Sequence, residues 1–419
     1  MRILLLAGEE SGEIYARQIR GRLVGHEVRG YGDYGFRTQD LAVIGVEEVL
    51  RNIFFLLRVK RTMERAIDEW KPDVVCTVDY PGMNLKLAAY AKARGIRTVH
   101  VVCPQVWAWK AGRIPKIERT FDRLCCFFPF EPALFREGFA TFVGHPLVDA
   151  FRREEERGKR EEGRGKREEG RGKREEGRGR RDERGERLTL AFLPGSRLGE
   201  IEKHLPVMLK ALESLGSKES GNESGTGDSR GAFEVVIPAA NERALAAINR
   251  IVTSLIPPPT SLLPYPSSLL PHPSSPKVQL GGARELLRRA DCAVVASGTA
   301  TLEAALANCP TVLVYKAAPI FAFIARRVIR GIRFLGLANI IWDKSLAAKG
   351  VTAPLADAPM PELLQENFTV ENLKALLGPL VSDETVREKA KKRLSEAVDL
   401  LRSDGDAIGR IADEILVTG

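Results

Sequence analysis

Two series of short apolar runs, separated by a charged repeat, constrain the fold of this chain more than any other feature. Such runs predict strands buried on both faces, and their alternation with helical patterns predicts parallel sheets. The predicted strands are Arg2–Ala7, Val74–Val78, Thr98–Cys103, Leu124–Phe128 and Thr141–Val143, then Leu188–Leu193, Glu234–Ile237, Lys277–Leu280, Cys292–Ala296 and Thr311–Tyr315. We therefore expect an α/β protein with two doubly wound parallel-sheet domains facing a cleft.

Changes in composition near residues 150 and 188 divide the chain. Between them, the sequence Gly-Lys-Arg-Glu-Glu-Gly-Arg occurs three times over residues 158–178. Because no position of this repeat is apolar, it cannot form a coiled-coil seam and predicts a solvated linker. The expected boundaries are 1–150 for the first domain, 151–187 for the linker, 188–359 for the second domain with loop insertions at 216–231 and 257–276, and 360–419 for a helical tail, broken at Pro379, that packs back across the domains.

Charge and cysteine content narrow the class of protein. The formal net charge of +9 fits an anionic substrate or membrane surface, whereas nucleic acid is disfavoured because no Lys/Arg run is interleaved with aromatic residues. None of the six cysteines forms a Cys-x-x-Cys pair, so we expect buried free thiols. No apolar run approaches the roughly 20 residues that cross a bilayer. We expect a cytoplasmic protein whose membrane contact is peripheral.

Two turns in the second domain have the residues of a nucleotide site. The strand Cys292–Ala296 runs into a Ser-Gly-Thr turn that begins a helix, where open N–H groups and hydroxyls suit a phosphate. Glu303 lies one turn into that helix, within reach of ribose hydroxyls. An earlier strand ends in a small-residue turn with an arginine, which binds phosphate well. The predicted nucleotide-binding residues of the two turns are Gly195, Ser196, Arg197, Ser297, Gly298, Thr299, Ala300 and Glu303.

Carboxylates in the first domain follow two predicted strands. Asp79 ends the strand Val74–Val78, where open α/β sheets bind ligands, and it could accept a proton from an attacking hydroxyl. The alternative is an Asx-turn that starts the next helix. Glu9 lies in the turn after the first strand, where Ser11 is a helix N-cap candidate. The alternative for Glu9 is an acid that interacts favourably with the helix dipole.

Aromatic and basic residues follow the next strands of the first domain. Trp107 and Trp109, with Lys110, Arg113 and Lys116 beyond them, could form an apolar wall with cationic donors for an anionic, acyl-bearing substrate. The alternative is core packing of at least one tryptophan. His145 follows the strand Thr141–Val143 and could bond a substrate, although a lone histidine is more often structural.

Two further motifs concern a dinucleotide and a membrane. The segment Gly30–Gly35 matches GxGxxG, but no apolar-periodic helix opens at its third glycine, so we interpret it as a turn and not an NAD site. An uninterrupted apolar run followed by cations predicts an interfacial membrane helix, with a core helix as the alternative. The predicted membrane-contacting residues are Ile53, Phe54, Phe55, Leu56 and Leu57.

Taken together and in order, these motifs resemble the lipid-A-disaccharide synthase family. The segments that carry the resemblance are Ala7–Glu13, Asp79–Asn84, Pro104–Trp109, Phe142–Pro146, Leu193–Arg197, Ser297–Glu303 and Ala338–Ile341. The resemblance implies a GT-B fold with two Rossmann-like domains and an inverting glycosyltransferase that uses no metal or other cofactor. It adds Asn339 to the nucleotide-binding residues. The implied acceptor or sugar-binding residues are Ser11, Asn84, Gln105, Trp107, Trp109 and His145.

The resemblance also implies substrates and partners. UDP-2,3-diacylglucosamine would donate its sugar to 2,3-diacylglucosamine 1-phosphate, giving the lipid A disaccharide 1-phosphate and UDP. Asp79 is our first choice of catalytic base and Glu9 our second. Family members associate peripherally with the cytoplasmic side of the anionic inner membrane, and a second copy of the chain is a candidate partner. The chain departs from the family where Gly82 replaces a frequent second acid and where Glu13 replaces Asp.

Two alternatives stay open at this stage. One is another UDP-sugar enzyme of the same fold, such as a MurG-like transferase or a UDP-N-acetylglucosamine 2-epimerase. The other is a non-catalytic nucleotide-sugar-binding membrane module. The apolar and basic segments favour a lipid substrate over the first alternative, and the carboxylates at strand ends favour an enzyme over the second.

Overall fold

The protein is described by a computed structural model in which two compact units are resolved. The described residues are 1–8, 10–37, 41, 53–108, 111–154, 156–157, 188–216, 233–256, 276–317 and 332–417. Among them, residues up to Arg152 and from Leu401 onward form the first unit, and residues from Arg153 to Leu400 form the second. Almost all of the predicted linker and of the two predicted insertions lies outside the described residues.

The first unit is a six-stranded parallel sheet covered by helices. Its strands are β1 (Arg2–Ala7), β2 (Glu27–Arg29), β3 (Val74–Val78), β4 (Arg97–Val101), β5 (Arg123–Cys126) and β6 (Ala140–Phe142), in the order β2-β1-β3-β4-β5-β6. Its helices are Glu10–Arg22, Ile53–Trp70, Pro81–Lys92, Ile114–Thr120, Ala407–Leu416 and the part of a further helix that spans 146–152. Every residue of β3 is buried, as the continuous apolar run predicts for a central parallel strand.

The second unit repeats this architecture. Its strands are β7 (Thr189–Leu193), β8 (Glu234–Ala239), β9 (Lys277–Leu280), β10 (Cys292–Ala296), β11 (Thr311–Tyr315) and β12 (Glu362–Leu364), in the order β12-β11-β10-β7-β8-β9 and all parallel. Its helices are Leu198–Gly216, Glu242–Leu255, Ala283–Arg289, Thr299–Leu306, Leu337–Ala347, Val370–Ser382 and Glu384–Asp399. The predicted doubly wound parallel fold is therefore confirmed.

In each sheet the strand order reverses once, and this position determines where a ligand can enter. The reversal falls between β1 and β3 in the first sheet and between β7 and β10 in the second. Connections leave the two strands at a reversal toward opposite faces, which opens a crevice outside their carboxyl ends. The four loops that follow these strands are the ones in which the sequence predicts catalytic and phosphate-binding residues.

The tail differs from its prediction in two respects. It begins with β12, which pairs with β11 in the second sheet, and becomes helical only from Val370 onward. The helix Val370–Ser382 also continues through Pro379 and ends at Asp383, whose carboxylate caps the next helix by accepting the N–H of Thr385 (2.8 Å). The residue before the proline is Gly378, which has no Cβ to clash with the ring, so one of the steric obstacles to a helix at this position is absent.

The last helix, Ala407–Leu416, belongs to the first unit and is bonded to it at both ends. The carboxylate of Asp149 accepts the N–H of Ala407 at 2.7 Å, where the helix begins. The guanidinium of Arg97 donates to the carbonyls of Glu414 and Ile415 at 2.7 Å each, where the helix ends. A carboxylate at the start and a cation at the end both interact favourably with the helix dipole.

The six cysteines conform to their prediction. All six are buried and free. Burial raises the pKa of Cys76 to about 12, so its thiol stays protonated at neutral pH. The cysteines therefore serve as small apolar core residues.

A buried histidine ties two strand ends of the second unit together. His204 is fully buried, its Nδ1 lies 2.8 Å from the carbonyl of Pro194, and its Nε2 accepts the N–H of Lys316 at 2.9 Å. Since a carbonyl only accepts, the neutral ring must carry its proton on Nδ1. Pro194 follows β7 and Lys316 follows β11, so the ring positions the loop that carries Arg197. Burial lowers the pKa of His204, which favours this neutral form.

We expect His204→Leu to lower the free energy of unfolding by about 2–4 kcal/mol, because it leaves a buried N–H and a buried carbonyl without partners. The pKa of His204 is lower in the folded than in the unfolded chain. Protonation of the ring therefore costs stability as the pH falls below the unfolded value of about 6.5. The difference between the urea midpoints of the two proteins should shrink in that range.

The matched control is His26→Leu, at a half-buried histidine of the first unit. It should shift the urea midpoint much less at pH 7.5. Equal midpoints for wild type and His204→Leu at that pH would contradict the bridging role.

Candidate active site

Asp79 lies in a strained turn at the carboxyl end of β3. Its φ is 48° and that of Tyr80 is 50°, so two consecutive non-glycine residues occupy the left-handed region. That conformation is uncommon for such residues and persists only where the surroundings hold it. The N–H of Asp79 donates to the carbonyl of Val101 on the neighbouring strand (3.0 Å). The turn that carries the half-buried Asp79 therefore lies at the end of the sheet where the strand order reverses.

Asn84 supports this turn from inside. Its side chain is fully buried, and its amide donates to the carbonyls of Asp79 (2.7 Å), Val78 (3.3 Å) and Leu6 (3.4 Å). Its Oδ1 accepts the hydroxyl of Tyr31 at 3.1 Å. One side chain thus joins the ends of β1 and β3 to the turn.

Gly8 is required at the end of β1 for a steric reason. A Cβ there would lie 2.2 Å from the ring of Tyr80, whose hydroxyl donates to the carbonyl of Leu41 (3.0 Å). Any side chain at residue 8 would therefore clash with the Tyr80 ring next to Asp79.

The surroundings of Asp79 favour proton uptake. Burial raises the pKa of its carboxyl, while a hydrogen bond from the N–H of Tyr80 partly opposes that shift. Burial and, second, the charge of Asp79 raise the pKa of Tyr15. A half-buried carboxylate with a raised pKa at a strand end has the character of a general base.

Trp107 and His145 share an aromatic cluster at the same edge of the sheet. His145 lies 5.1 Å from Phe127 and 6.0 Å from Phe128, measured between ring centroids. Trp107 packs edge-on against Phe130 at 5.6 Å. Burial lowers the pKa of His145 to about 4, and its Nδ1 accepts the N–H of Leu147, so the neutral ring carries its proton on Nε2.

Glu131 anchors this cluster. It is almost fully buried, and its carboxylate accepts the indole N–H of Trp107 (3.0 Å) and the main-chain N–H of Phe128 (3.1 Å). Burial raises the pKa of Glu131 to about 8, against the lowering effect of these hydrogen bonds. Cys103 and Cys126 lie beside it, with all three ligand atoms within 4.8 Å of one another. The bonds to Glu131 join the loop after β4 to the loop after β5.

In the second unit, the loop after β7 requires a glycine. Gly195 has a φ of 115°, and a Cβ on it would lie 2.5 Å from the carboxylate of Glu200. The same carboxylate is 3.5 Å from the guanidinium of Arg197, whose side chain is 74% exposed. Arg197 therefore leaves the carboxyl end of β7 with most of its donors accessible to a ligand. Ser196, next to it, is exposed.

The turn after β10 presents an uncapped helix N-terminus. Gly298 has a φ of 149° and precedes the helix Thr299–Leu306 without a side-chain cap. The hydroxyl of Thr301 is used internally, since it donates to the carbonyl of Gly298 at 2.8 Å. Thr299 is exposed and Ser297 is half-buried, which leaves these two hydroxyls toward the open end of the helix. Ala300, half-buried, contributes only its main chain.

Glu303 is held in an ion pair one turn into that helix. Arg284 donates to its Oε1 at 3.0 Å and to the carboxylate of Glu154 at 3.2 Å. Arg288 also donates to Glu154. The guanidinium of Arg284 thus holds the Glu303 carboxylate in position and compensates its negative charge.

Asn339 is internal to the second unit. Its amide donates to the carbonyl of Met360 (2.7 Å) and to Glu362 (2.8 Å), and its Oδ1 accepts the N–H of Met360 (2.9 Å). Glu362 in turn accepts the N–H of Leu335 (2.8 Å) and of Gly336 (2.9 Å). Asn339 therefore fastens the start of the helix Leu337–Ala347 to β12.

The remaining predicted site residues differ in how far they are described. Gln105 is exposed after β4. Glu9, Trp109 and the side chain of Ser11 lie outside the described residues. The binding and catalytic roles of all these residues remain predictions.

The predicted membrane segment is the first part of the helix Ile53–Trp70. Phe54 is 83% exposed, and Ile53 and Leu57 are also exposed, whereas Phe55 and Leu56 pack against the core. Among the described residues, no helix combines the length and the apolarity that a membrane span needs.

Several residues that position these loops were not apparent from the sequence. They are Glu131, His204, Arg284 and Glu362. Each is a buried or half-buried charged or polar side chain whose partner is distant in the chain, so no local motif marks it. A polar residue within an apolar stretch was the one available signal, as with His204 between Ile201 and Leu205.

Comparison with known proteins identifies the family. The chain matches the model of the family "Lipid-A-disaccharide synthetase" over residues 3–224 and 277–408. It is 30% identical to the lipid-A-disaccharide synthase of Syntrophus aciditrophicus, over 97% of this chain and 94% of that protein.

Two solved structures show the same fold. The chain resembles Acinetobacter baumannii MurG with a TM-score of 0.52 at 14% identity, covering 99% of this chain and 98% of that one. It resembles the S. aureus MnaA–UDP co-structure with a TM-score of 0.54 at 13% identity, covering 99% and 95%. Together with the family match, these likenesses confirm the GT-B fold. The chain belongs to the lipid-A-disaccharide synthase family and is a glycosyltransferase of lipid A biosynthesis.

Proposed function

We propose that the protein transfers 2,3-diacylglucosamine from UDP-2,3-diacylglucosamine to 2,3-diacylglucosamine 1-phosphate. The observation that carries this proposal is that both reversals of strand order place candidate groups at the carboxyl ends of strands. The first unit presents Asp79 there, and the second presents Arg197 and the Ser297–Thr299 turn. A base and a phosphate site are the two requirements of metal-free transfer from a sugar diphosphate.

The second unit would bind the UDP part of the donor. Arg197 and the open N–H groups after Gly298 face negative charge, and they need not reorganise when the bond to UDP breaks. Of the hydroxyls in that turn, those of Ser297 and Thr299 would bind phosphate, because the hydroxyl of Thr301 already donates to the carbonyl of Gly298. Glu303, oriented by Arg284, would accept the ribose hydroxyls.

The first unit would bind the acceptor, with Asp79 as base. The carboxylate takes the proton of the acceptor's 6-hydroxyl while that oxygen attacks the anomeric carbon of the donor. The bond from this carbon to UDP breaks with inversion, and UDP departs with the electron pair. In this scheme Asn84 positions the Asp79 turn, while the buried side chains of Trp107 and His145 shape the loops on the acceptor side.

The apolar end of the helix Ile53–Trp70 would place the first unit on the inner membrane. Ile53, Phe54 and Leu57 are exposed, and Arg58 and Arg61 follow them on exposed positions. Apolar side chains beside cations suit an anionic lipid surface. A second copy of the chain remains a candidate partner.

The alternatives differ in their support. Similarity to MurG and to 2-epimerases rests on fold alone, at no more than 14% identity. Membership of a family of synthases excludes the non-catalytic binding module. Incubating the purified protein with both lipid substrates and identifying the product by mass spectrometry tests the proposal. Absence of disaccharide phosphate would refute it.

Asp79→Asn should lower kcat about 10²- to 10⁴-fold, the usual contribution of a general base. Because burial raises the pKa of Asp79, the wild-type rate should rise with pH along a limb above the ordinary carboxyl pKa of about 3.9. That limb should be absent from the residual activity of the variant. The pH profile of kcat for both proteins measures this.

Asp68→Asn, at an exposed carboxylate of the same unit that pairs with Arg94, is the control. Its activity and pH profile should match those of the wild type. Unchanged turnover in Asp79→Asn would show that another group, with Glu9 as the next candidate, is the base.

The variants Glu303→Gln and Arg197→Ala should distinguish binding of the ribose from binding of the diphosphate. We expect Glu303→Gln to weaken both uridine and UDP binding about tenfold or more, because a hydrogen bond to a charged group contributes about 1.5–3 kcal/mol. Arg197→Ala should weaken UDP binding and leave uridine binding unchanged. Equilibrium titration of each protein with both ligands measures the difference.

Glu285→Gln, on the exposed face of the neighbouring helix Ala283–Arg289, serves as the control and should bind both ligands as the wild type does. If Glu303→Gln binds uridine normally, the ribose assignment is wrong. If Arg197→Ala binds UDP normally, the phosphate assignment is wrong.

Phe54→Asp should weaken binding to vesicles that contain anionic lipid by about tenfold or more, since burying a phenylalanine contributes about 1.5–3 kcal/mol. Vesicle cosedimentation measures this partition. Val24→Asp is a matched control, because Val24 is also 83% exposed in the same unit. Equal vesicle binding by the two variants would argue against a membrane contact at the helix Ile53–Trp70.

A further inference from the structure

A cavity of about 200 Å³ lies beside the Asp79 turn in the first unit. It forms where the helix Pro81–Lys92 packs against the helix Ile114–Thr120. The side chains of Leu85 and Ile117 give it an apolar floor. Pro81 and Gly82, which directly follow the Asp79 turn, also line it.

Three cations line this cavity: Lys86, Arg113 and Lys116. All three are exposed at its rim, and no carboxylate from the described part of the chain lines it with them. Three positive charges around one small volume attract an anion, and a phosphomonoester carries about −1.5 to −2 at neutral pH. Lysine and arginine together offer donors to several of its oxygens.

We propose that this cavity binds the phosphomonoester of the acceptor and so determines which end of the sugar meets Asp79. The assignment rests on the proposed function, in which the acceptor carries a phosphate on C1 and reacts through its 6-hydroxyl. The carbon that bears the phosphate, C1, and the carbon that bears the hydroxymethyl group, C5, flank the ring oxygen, so the two groups are neighbours on the sugar. A site for the phosphate must therefore lie close to the base.

The position of the cavity meets this requirement. Pro81 and Gly82 directly follow the turn of Asp79 and Tyr80, and Lys86 lies five residues beyond Pro81 on the same helix. The cavity therefore begins beside the turn and extends along roughly the first one and a half turns of the helix. The apolar floor between the two ends suits the face of a sugar or the first methylenes of an acyl chain. Binding the phosphate thus excludes the reversed orientation, in which the phosphate would face the carboxylate of Asp79.

The test compares two acceptors, 2,3-diacylglucosamine 1-phosphate and the same lipid without its phosphate. For the wild type we expect a KM about 10- to 100-fold lower for the phosphorylated acceptor, the usual contribution of hydrogen bonds between charged groups. In the variant Lys86→Gln/Arg113→Gln/Lys116→Gln this preference should fall to within about threefold. The KM for the donor and the KM for the dephosphorylated acceptor should stay unchanged. Added salt should weaken the wild-type preference, because the cations are exposed.

Arg119→Gln is the matched control, since Arg119 is an exposed cation on the helix Ile114–Thr120 that does not line the cavity. It should keep the full preference. Because the substituted side chains are exposed, all variants should unfold at the wild-type temperature, and thermal denaturation checks this.

The outcomes separate the cavity from the proposed function. If the wild type transfers sugar to neither acceptor, the proposed function fails and the cavity loses its stated ligand. If the wild type is active but the triple variant keeps the preference, or slows equally with both acceptors, the cavity is not the phosphate site. Loss of binding to anionic vesicles with the preference intact would identify the three cations as a membrane contact and would also overturn the proposal.

Discussion

The reversal of strand order in each sheet is the constraint on which the rest of the molecule depends. It separates the connections after β1 and β3, and those after β7 and β10, so that four loops open at the carboxyl ends of buried strands. The loops then take unusual backbone conformations at their working positions. Asp79 and Tyr80 are left-handed, and Gly195 and Gly298 have φ values that a side chain would strain. The sheets are the rigid part of each unit, and the loops carry the candidate catalytic and phosphate-binding residues.

Buried polar groups hold these loops in place. Asn84 binds the Asp79 turn, His204 binds the loop before Arg197, and Glu131 binds Trp107 to the following strand end. Each bond joins segments that are distant in the chain, and each partner left unsatisfied would cost free energy in the low-dielectric interior. The loops are therefore preorganised, which is the condition under which dipoles and charges stabilise a transition state without reorganisation.

This arrangement explains which features of the fold and of the candidate site could be predicted from the sequence and which could not. Strand ends and glycine turns are local features, so the positions of Asp79 and the Ser297–Thr299 turn were accessible from the sequence, as was the doubly wound fold. The supporting bonds are not local, because Trp107 and Glu131 lie 24 residues apart and Asn339 and Glu362 lie 23 apart. The break expected at Pro379 was wrong although the relevant feature is local, since Gly378 directly before it has no Cβ to contact the proline ring.

The carboxyl groups of Asp79, in its turn, and of Glu303, in the helix Thr299–Leu306, have different surroundings. Asp79 is half-buried, has a single main-chain donor among the causes that lower its pKa, and has that pKa raised by burial, so it is suited to take a proton. Glu303 lies 3.0 Å from the guanidinium of Arg284, which compensates its charge and leaves it suited to accept hydrogen bonds from hydroxyls. The different roles that we propose for the two residues rest on these surroundings, namely the buried strand end and main-chain donor at Asp79 and the guanidinium at Glu303, and not on the difference between Asp and Glu.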